Sequence, residues 1–480
     1  MKNLKNIYIL CAVVIGLTSC KKTFLNELPP SSLPVTTSIK TEGDLADAVS
    51  GMYATLRSIN SFGGNIPIIG DELADNTYVS SSNSGYYLPE ENYVLISTNA
   101  EASQIYSQCY YSILQANRIL YANVPASNNV SQLKGEAYAA RALNYLTLVN
   151  IFAGPATVSA TAPGVPIVTV PEFVSGPFIK PARASVGAVY KQIISDLDSA
   201  YAMMPVAGTT LHPTSSDYIS KYAAKAIESR AYLYEGDYTN AITAALLVVQ
   251  NGGYTLTPPT NLVAYWNNPA SITTKVETIF ELELNLATNN GFQSFDNFYN
   301  QGGYGQNLVY QALYNQYSAT DARKNLFIVN SATAPSRPGA VILNKWINTL
   351  NATDRDNVKI IRYAEVLLTL AEAYARTGDD FDAQTYVNMV AQKRDPAFIG
   401  YISTGTQLAS DIVTERQKEL VGEGFRWFDV NRLQLPINRP VQAGSYTYLA
   451  SIPVTDYRRI FPIPQAETDA NKNTTQNPGY

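Results

Sequence analysis

RAYLYEGDYTNA (residues 230–241) and EAYARTGDDFDA (residues 372–383) match when Gly236 is set on Gly378: Ala231 meets Ala373, Tyr232 meets Tyr374 and Ala241 meets Ala383. Small residues on one helix, a Gly-Asp turn and an alanine on the next are what a tight helical hairpin of the tetratricopeptide type requires. Alanines let the two axes approach, and glycine supplies the turn. Upstream, residues 183–205 place Val186, Tyr190, Ile193, Leu197, Ala200 and Met204 at steps of four and three, one apolar stripe closed by Pro205. Residues 357–377 repeat that spacing with Ile360, Ala364, Leu367, Ala371 and Tyr374, and Gly378 stands where a helix C-cap belongs. A third, weaker hairpin runs from 104–120 to 133–154. About three such units are the minimum that stacks stably.

Between the hairpins lie long polar stretches without helical period, chiefly 61–93, 155–182, 251–310 and 434–480. Loops of this length in a compact protein usually carry function. A short strand is expected at ETIFELEL (277–284), where apolar and acidic residues alternate. The sequence therefore predicts a mostly α-helical scaffold with elaborate loops on one side.

The chain has 480 residues and is 46% hydrophobic, which marks a folded protein with a large core. Its 34 tyrosines stand beside only 3 tryptophans and 15 phenylalanines. A tyrosine ring joins an apolar face to a polar tip and suits wet binding surfaces as well as cores. Lys2 and Lys5 precede the eleven-residue apolar run Ile7–Leu17, too short to span a bilayer. LTSC follows, a small-residue cleavage site ending at Cys20, which reads as a lipoprotein box with Cys20 as the acylated residue. Cys11 would leave with residues 1–19, so Cys109 would remain as the single thiol and no internal disulfide could form.

Taking Lys2 and Lys5 from the 34 basic residues leaves 32 against 39 acidic ones, a net of −7. That disfavours nucleic acid as a partner. The single histidine, His212, rules out multi-histidine metal centres. It sits in TTLHPTSS and is expected to be an exposed loop residue; no nucleophile-elbow glycines flank a serine that it could activate. No acid spacing resembles a calcium loop, and neither a metal nor a cofactor is expected.

ERQKELVGEGFRWFDVNRL (415–433) is the most charged segment. Arg416, Lys418, Arg426 and Arg432 are balanced by Glu415, Glu419, Glu423 and Asp429, so it is not a basic patch. Spacing of three predicts Arg416–Glu419 and Arg426–Asp429 pairs on a helix face, with Leu420, Phe425 and Phe428 buried. The expected role is a structural clamp, not a catalytic one.

Several motifs taken in order carry a resemblance to a known family: the lipoprotein signal, GEAYAARALNYLTLVNIFAGP (135–155), GVPIV (164–168), PARASVGAVYKQIISDLDSA (181–200), ETIFELEL, IIRYAEVLLTLAEAYARTGD (360–379), the 415–433 segment, FPIP (461–464) and QNPGY (476–480). Together they resemble SusD/RagB-type outer-membrane lipoproteins over essentially the whole mature chain. The resemblance implies four tetratricopeptide-like units forming a right-handed superhelical scaffold, with long irregular ligand-binding loops and a few short strands. It implies a signal peptide at 1–19, a SusD-like N-terminal region at 20–250 and a RagB/SusD C-terminal region at 251–480, intertwined as one unit. It further implies a non-catalytic protein on the outer face of a Bacteroidetes-type outer membrane that delivers glycan to a SusC-like TonB-dependent transporter. Lys21 and Lys22 depart from the acidic residues that follow the cysteine in many surface-exported members.

Saccharides need flat apolar surfaces for their C–H faces and planar polar groups for their hydroxyls. The aromatic-dense loops 75–93 and 289–305 stand where the resemblance puts ligand contacts. They offer Asn76, Tyr78, Tyr86 and Tyr87, and Phe295, Asp296, Tyr299 and Tyr304, with Trp266 as a further candidate. Trp346 and Trp427 read as core. The alternatives to glycan capture are capture of peptides, as in RagB-type relatives, a protein-binding adaptor, and a carboxylate-pair glycosidase.

Overall fold

The computed structural model describes residues 38–171, 180–267, 276–285, 287–329, 339–346, 356–446 and 449–480. Cys20 and the export signal lie outside the described residues. Among the described residues, eleven helices of seven or more residues organise the fold: α1 (Glu42–Leu56), α2 (Asn65–Glu72), α3 (Ala100–Tyr121), α4 (Asn128–Phe152), α5 (Val186–Met203), α6 (Lys221–Glu235), α7 (Tyr238–Asn251), α8 (Tyr363–Thr377), α9 (Asp380–Arg394), α10 (Gly405–Leu420) and α11 (Arg426–Arg432). Helix packs on helix in an almost unbroken series, α3 on α4, α4 on α5, α5 on α6, α6 on α7, α7 on α8 and α8 on α9 and α10. That series is a tetratricopeptide-like scaffold, and it carries helices from both halves of the chain in one stack. Among the described residues no helix is long and apolar enough to cross a membrane.

The two matched hairpins are built alike. Gly236 ends α6 at φ 91°, and Asp237 caps α7 by accepting a hydrogen bond from the Asn240 amide. Gly378 ends α8 at φ 86°, and Asp379 caps α9 from the Asp382 amide. The four alanines that matched in sequence, Ala231, Ala241, Ala373 and Ala383, are fully buried between the helices. Cys109 is a buried free thiol inside α3.

Among the described residues, three small sheets brace the scaffold. Strands β1 (Thr77–Val79), β3 (Asn307–Val309), β5 (Val341–Leu343) and β4 (Phe327–Val329) form one sheet in the order β1-β3-β5-β4. β2 (Thr278–Leu282) pairs antiparallel with β6 (Val358–Arg362), and β7 (Ile437–Asn438) with β8 (Ser451–Ile452). The expected strand at 277–284 is thus present. Both of its faces are buried, and the acids there meet cations: Glu281 lies 3.9 Å from Lys359, and Glu277, just before the strand, meets Arg362 and Arg394 through its Oε1 at 2.6 Å each.

Residues 357–377 are not one helix. Val358–Arg362 is strand β6, and the helix begins at Tyr363, so Ile360 belongs to a sheet and not to the apolar stripe. Pairing with β2 decides the matter for a run whose apolar spacing suits either state. The 61–93 stretch also differs from expectation, since α2 lies within it and every residue of α2 is buried. His212 is not exposed: its Nδ1 lies 2.8 Å from both Glu136 carboxylate oxygens and its ring stacks on Tyr218 at 4.0 Å.

The 415–433 segment is a clamp, with partners different from those its spacing suggests. Arg416 reaches Asp429 at 3.3 Å, and Arg426 reaches Asp75 at 2.6 Å. Asp429 pairs three residues on with Arg432, which also grips Glu372 at 2.6 Å. Glu419 sits among Arg323, Arg362 and Arg394, its oxygens 3.1, 3.1 and 2.9 Å from them. All four side chains are buried, and the guanidiniums hold the Glu419 carboxyl well below its ordinary range against the effect of burial. Between α10 and α11 the chain turns at Gly424 (φ 81°), where a Cβ on Gly70 of α2 would fall 2.1 Å from the Gly424 carbonyl oxygen. Leu420 and Phe425 are buried, Phe428 packs against the core, and Trp346 and Trp427 lie within it.

Candidate ligand-binding site

Antiparallel pairing of β1 with β3, in the register Tyr78 to Leu308, sets the end of β1 beside the start of β3. The loop that leaves β1 and the loop that enters β3 therefore meet, although more than 200 residues separate them. Gln306 fastens them together: its carbonyl accepts from the Ser80 amide at 2.8 Å, its Oε1 from the Ser84 amide at 3.1 Å, and its Nε2 donates to the Tyr86 carbonyl at 2.9 Å. Tyr87 then turns the chain in the left-handed region at φ 58°, and its buried hydroxyl donates to Asn65 Oδ1 at 2.7 Å.

This staple places Tyr86 beside Tyr304, with ring centroids 4.9 Å apart and hydroxyls 3.3 Å apart. The hydrogen bond with Tyr86 raises the Tyr304 phenol above its usual range, so the group is a neutral donor and acceptor at physiological pH. Phe292 adds a third ring 5.6 Å from Tyr304 and is 50% exposed. Buried Phe298 forms the floor, edge-on to Tyr86 at 5.5 Å and 5.0 Å from Tyr304. Half-buried Tyr86 and Tyr304 and exposed Phe292 make an aromatic shelf that carries two neighbouring hydroxyls. Such a surface can stack on the C–H face of a sugar and exchange hydrogen bonds with its hydroxyls.

The other six candidates lie inside. Asn76 is buried between Asp71, to which its Nδ2 donates at 2.7 Å, and Gln417, which donates to its Oδ1 at 3.0 Å. Tyr78 packs on Tyr310 at 5.0 Å, and Phe295 edges onto Trp346 at 4.6 Å. Tyr87, Asp296 and Tyr299 are buried as well. These six support the shelf and offer a ligand almost no surface, which corrects the wider expectation. Trp266 is likewise interior, beneath the Lys345, Lys359 and Arg362 cations at 4.6, 4.7 and 5.0 Å. Phe292 was not foreseen, and its signal was an isolated ring in the polar run NNGFQS.

Most acids in and beside these loops are also sealed. Glu72, Glu90 and Glu91 are fully buried, and burial raises Glu90 to about 8 and Glu91 to about 7. Arg439 lies among them but gives its hydrogen bonds to the carbonyls of Glu72, Ala74 and Glu91. A glycosidase needs two carboxyl groups facing its substrate. Glu90, Glu91 and Asp296, the acids nearest the shelf in sequence, do not face solvent.

Comparison with known proteins bears on the chain as a whole. A family model described as "Starch-binding associating with outer membrane" matches residues 23–233, and a second, described as "SusD family", matches residues 289–480. SusD-like protein P2 of Formosa agariphila is 25% identical over 98% of this chain and 99% of its own length. A crystal structure of a SusD superfamily protein from Bacteroides thetaiotaomicron is 29% identical, with a TM-score of 0.81 over 91% of this chain and 100% of that one. A laminarin-binding SusD-like protein has the same fold at 24% identity, with a TM-score of 0.72 over 92% of this chain and 100% of that one. With its two halves matched by these models and its full length by relatives, the chain belongs to the SusD-like family.

Proposed function

We propose that this protein captures an oligosaccharide or polysaccharide on the Tyr86–Tyr304–Phe292 shelf at the cell surface and passes it, chemically unchanged, to a SusC-like TonB-dependent transporter. In this reading Cys20 carries the lipid that tethers the chain to the outer membrane. The carrying observation is the shelf itself, one exposed and two half-buried rings held on a buried floor by loops from both halves of the chain. A binding role without catalysis agrees with the burial of the neighbouring carboxyl groups and with a family described as starch-binding.

Native affinity electrophoresis against a polysaccharide panel tests the proposal. Starch and laminarin belong in the panel because the family description names the first and a protein of the same fold binds the second. Retardation by at least one polysaccharide, lost in Tyr86→Ala/Tyr304→Ala, is expected. Migration indifferent to every glycan, or steady release of shortened products, would overturn it. Co-purification of the native chain with a β-barrel partner from detergent-solubilised outer membranes tests the delivery step.

A further inference from the structure

A second cavity, of about 520 Å³, opens beside the C-terminal half of α3 and shares no lining residue with the shelf. One wall is aromatic: Tyr106 and Tyr110, one helical turn apart, hold their rings 4.8 Å from each other, and Tyr111 beside them is 51% exposed. Leu114, one turn beyond Tyr110, continues the apolar surface. The lining also brings Lys180 and Glu467, its only charged side chains among the described residues. Lys180 uses one donor on the Ala470 carbonyl at 2.7 Å, and an ammonium group has three. The Glu467 Oε1 accepts from Asn471 and Thr474 at 3.0 and 3.1 Å, two of about four lone-pair sites on a carboxylate. The Tyr110 hydroxyl donates to the Pro166 carbonyl at 2.7 Å and can still accept.

We propose that this cavity is a second saccharide-binding site, taking one or two neutral pyranose rings of a glycan chain. Its volume falls within the roughly 300–1,000 Å³ of small-molecule sites. The tyrosine wall suits the apolar face of a sugar ring, while Lys180 donates to hydroxyl oxygens and Glu467 accepts from hydroxyl protons. One positive and one negative group lining the same cavity cancel in net charge and favour a neutral ligand over a uronate or an amino sugar. A chain held at two places gains residence time without tighter contact at either.

The test is hydroxyl-radical footprinting of the mature chain with residue-level mass spectrometry, using saturating maltohexaose, laminarihexaose, xylohexaose and mannohexaose as separate probes. With at least one probe, oxidation of Tyr111 is expected to fall by about threefold or more, the scale of a ring face covered by ligand. The protection is expected to persist in Tyr86→Ala/Tyr304→Ala and to vanish in Leu114→Trp, which fills the cavity. Protection of Phe292 and Tyr304 without protection of Tyr111 overturns the second site and leaves the shelf standing. Protection of Tyr111 alone supports the second site and removes the shelf. No protection at either place with any probe overturns both.

Discussion

Arg426 and Asp75 are 351 positions apart in sequence, and the Nε and Nη2 of Arg426 meet the two carboxylate oxygens of Asp75 at 2.6 and 2.9 Å. The residue after Asp75 begins the run into β1, so this fork ties the C-terminal clamp to the base of the loops that carry the aromatic shelf. Arg426→Ala leaves Asp75 unpaired in a mostly buried setting and is expected to cost about 3 kcal/mol. Urea unfolding of variant and parent measures it. Unchanged stability with lost glycan binding would instead assign Arg426 to ligand contact.

Glu419 is the more severe case. Glu419→Gln removes the carboxylate shared by Arg323, Arg362 and Arg394, and the expected loss is about 3–5 kcal/mol or failure to accumulate folded protein. Soluble yield and the unfolding midpoint are the readouts, and a variant as stable as the parent would contradict a clamp.

The shelf and its support separate by mutation. Tyr304→Ala and Tyr86→Ala each remove an aromatic contact worth about 0.5–1.5 kcal/mol, a two- to tenfold rise in Kd by about 1.4 kcal/mol per decade. Their melting temperatures are expected to stay close to that of the parent. Phe295→Ala, in the same loop but fully buried against Trp346, is expected to cost about 3–5 kcal/mol of stability. Equal effects from Tyr304 and Phe295 on both measurements would argue against the division.

Stability should fall as pH rises through neutrality. Burial lifts Glu90 to about 8, Glu91 to about 7 and Asp71 to about 6, while Glu72 is raised by burial and by its neighbours Glu91 and Glu90. Each group binds its proton more tightly folded than unfolded. Its contribution is therefore complete below the unfolded value near 4 and is lost as pH climbs towards 8. Glu419 works the other way, with a window below its ordinary value of 4.5, so the two effects occupy different ranges. Melting temperature should decline from pH 5 to pH 8.5, and Glu91→Gln should flatten that decline. Parallel curves for variant and parent would exclude Glu91 as a source.

The hairpin scaffold was legible because its signals are local. Gly236 and Gly378 take positive φ where the two sequences align, and the aspartates after them cap the next helices. The clamp was legible in kind but not in pairing: spacing of three suggested Arg416–Glu419, whereas tertiary packing gives Arg416 to Asp429 and Glu419 to three arginines from other segments. Ile360 shows the same limit, since an apolar run serves strand or helix until a partner strand selects one. For the candidate site, sequence marked two aromatic-dense loops but not which of their rings reach the surface. Tyr86 and Tyr87 are adjacent, yet only the left-handed turn at Tyr87 and the hydrogen bonds of Gln306 decide that the first joins the surface and the second the interior. His212 was misplaced because its partner, Glu136, is 76 positions away.

The Arg362, Arg394, Glu277 and Glu419 side chains are closed off from solvent, and dissolved ions cannot reach the space between them. Surface ion pairs weaken in brine within a Debye length of about 8 Å at physiological ionic strength, whereas enclosed pairs are shielded far less. A frame joined this way should hold its shape from fresh water to seawater, leaving salinity to act on the charges at the surface.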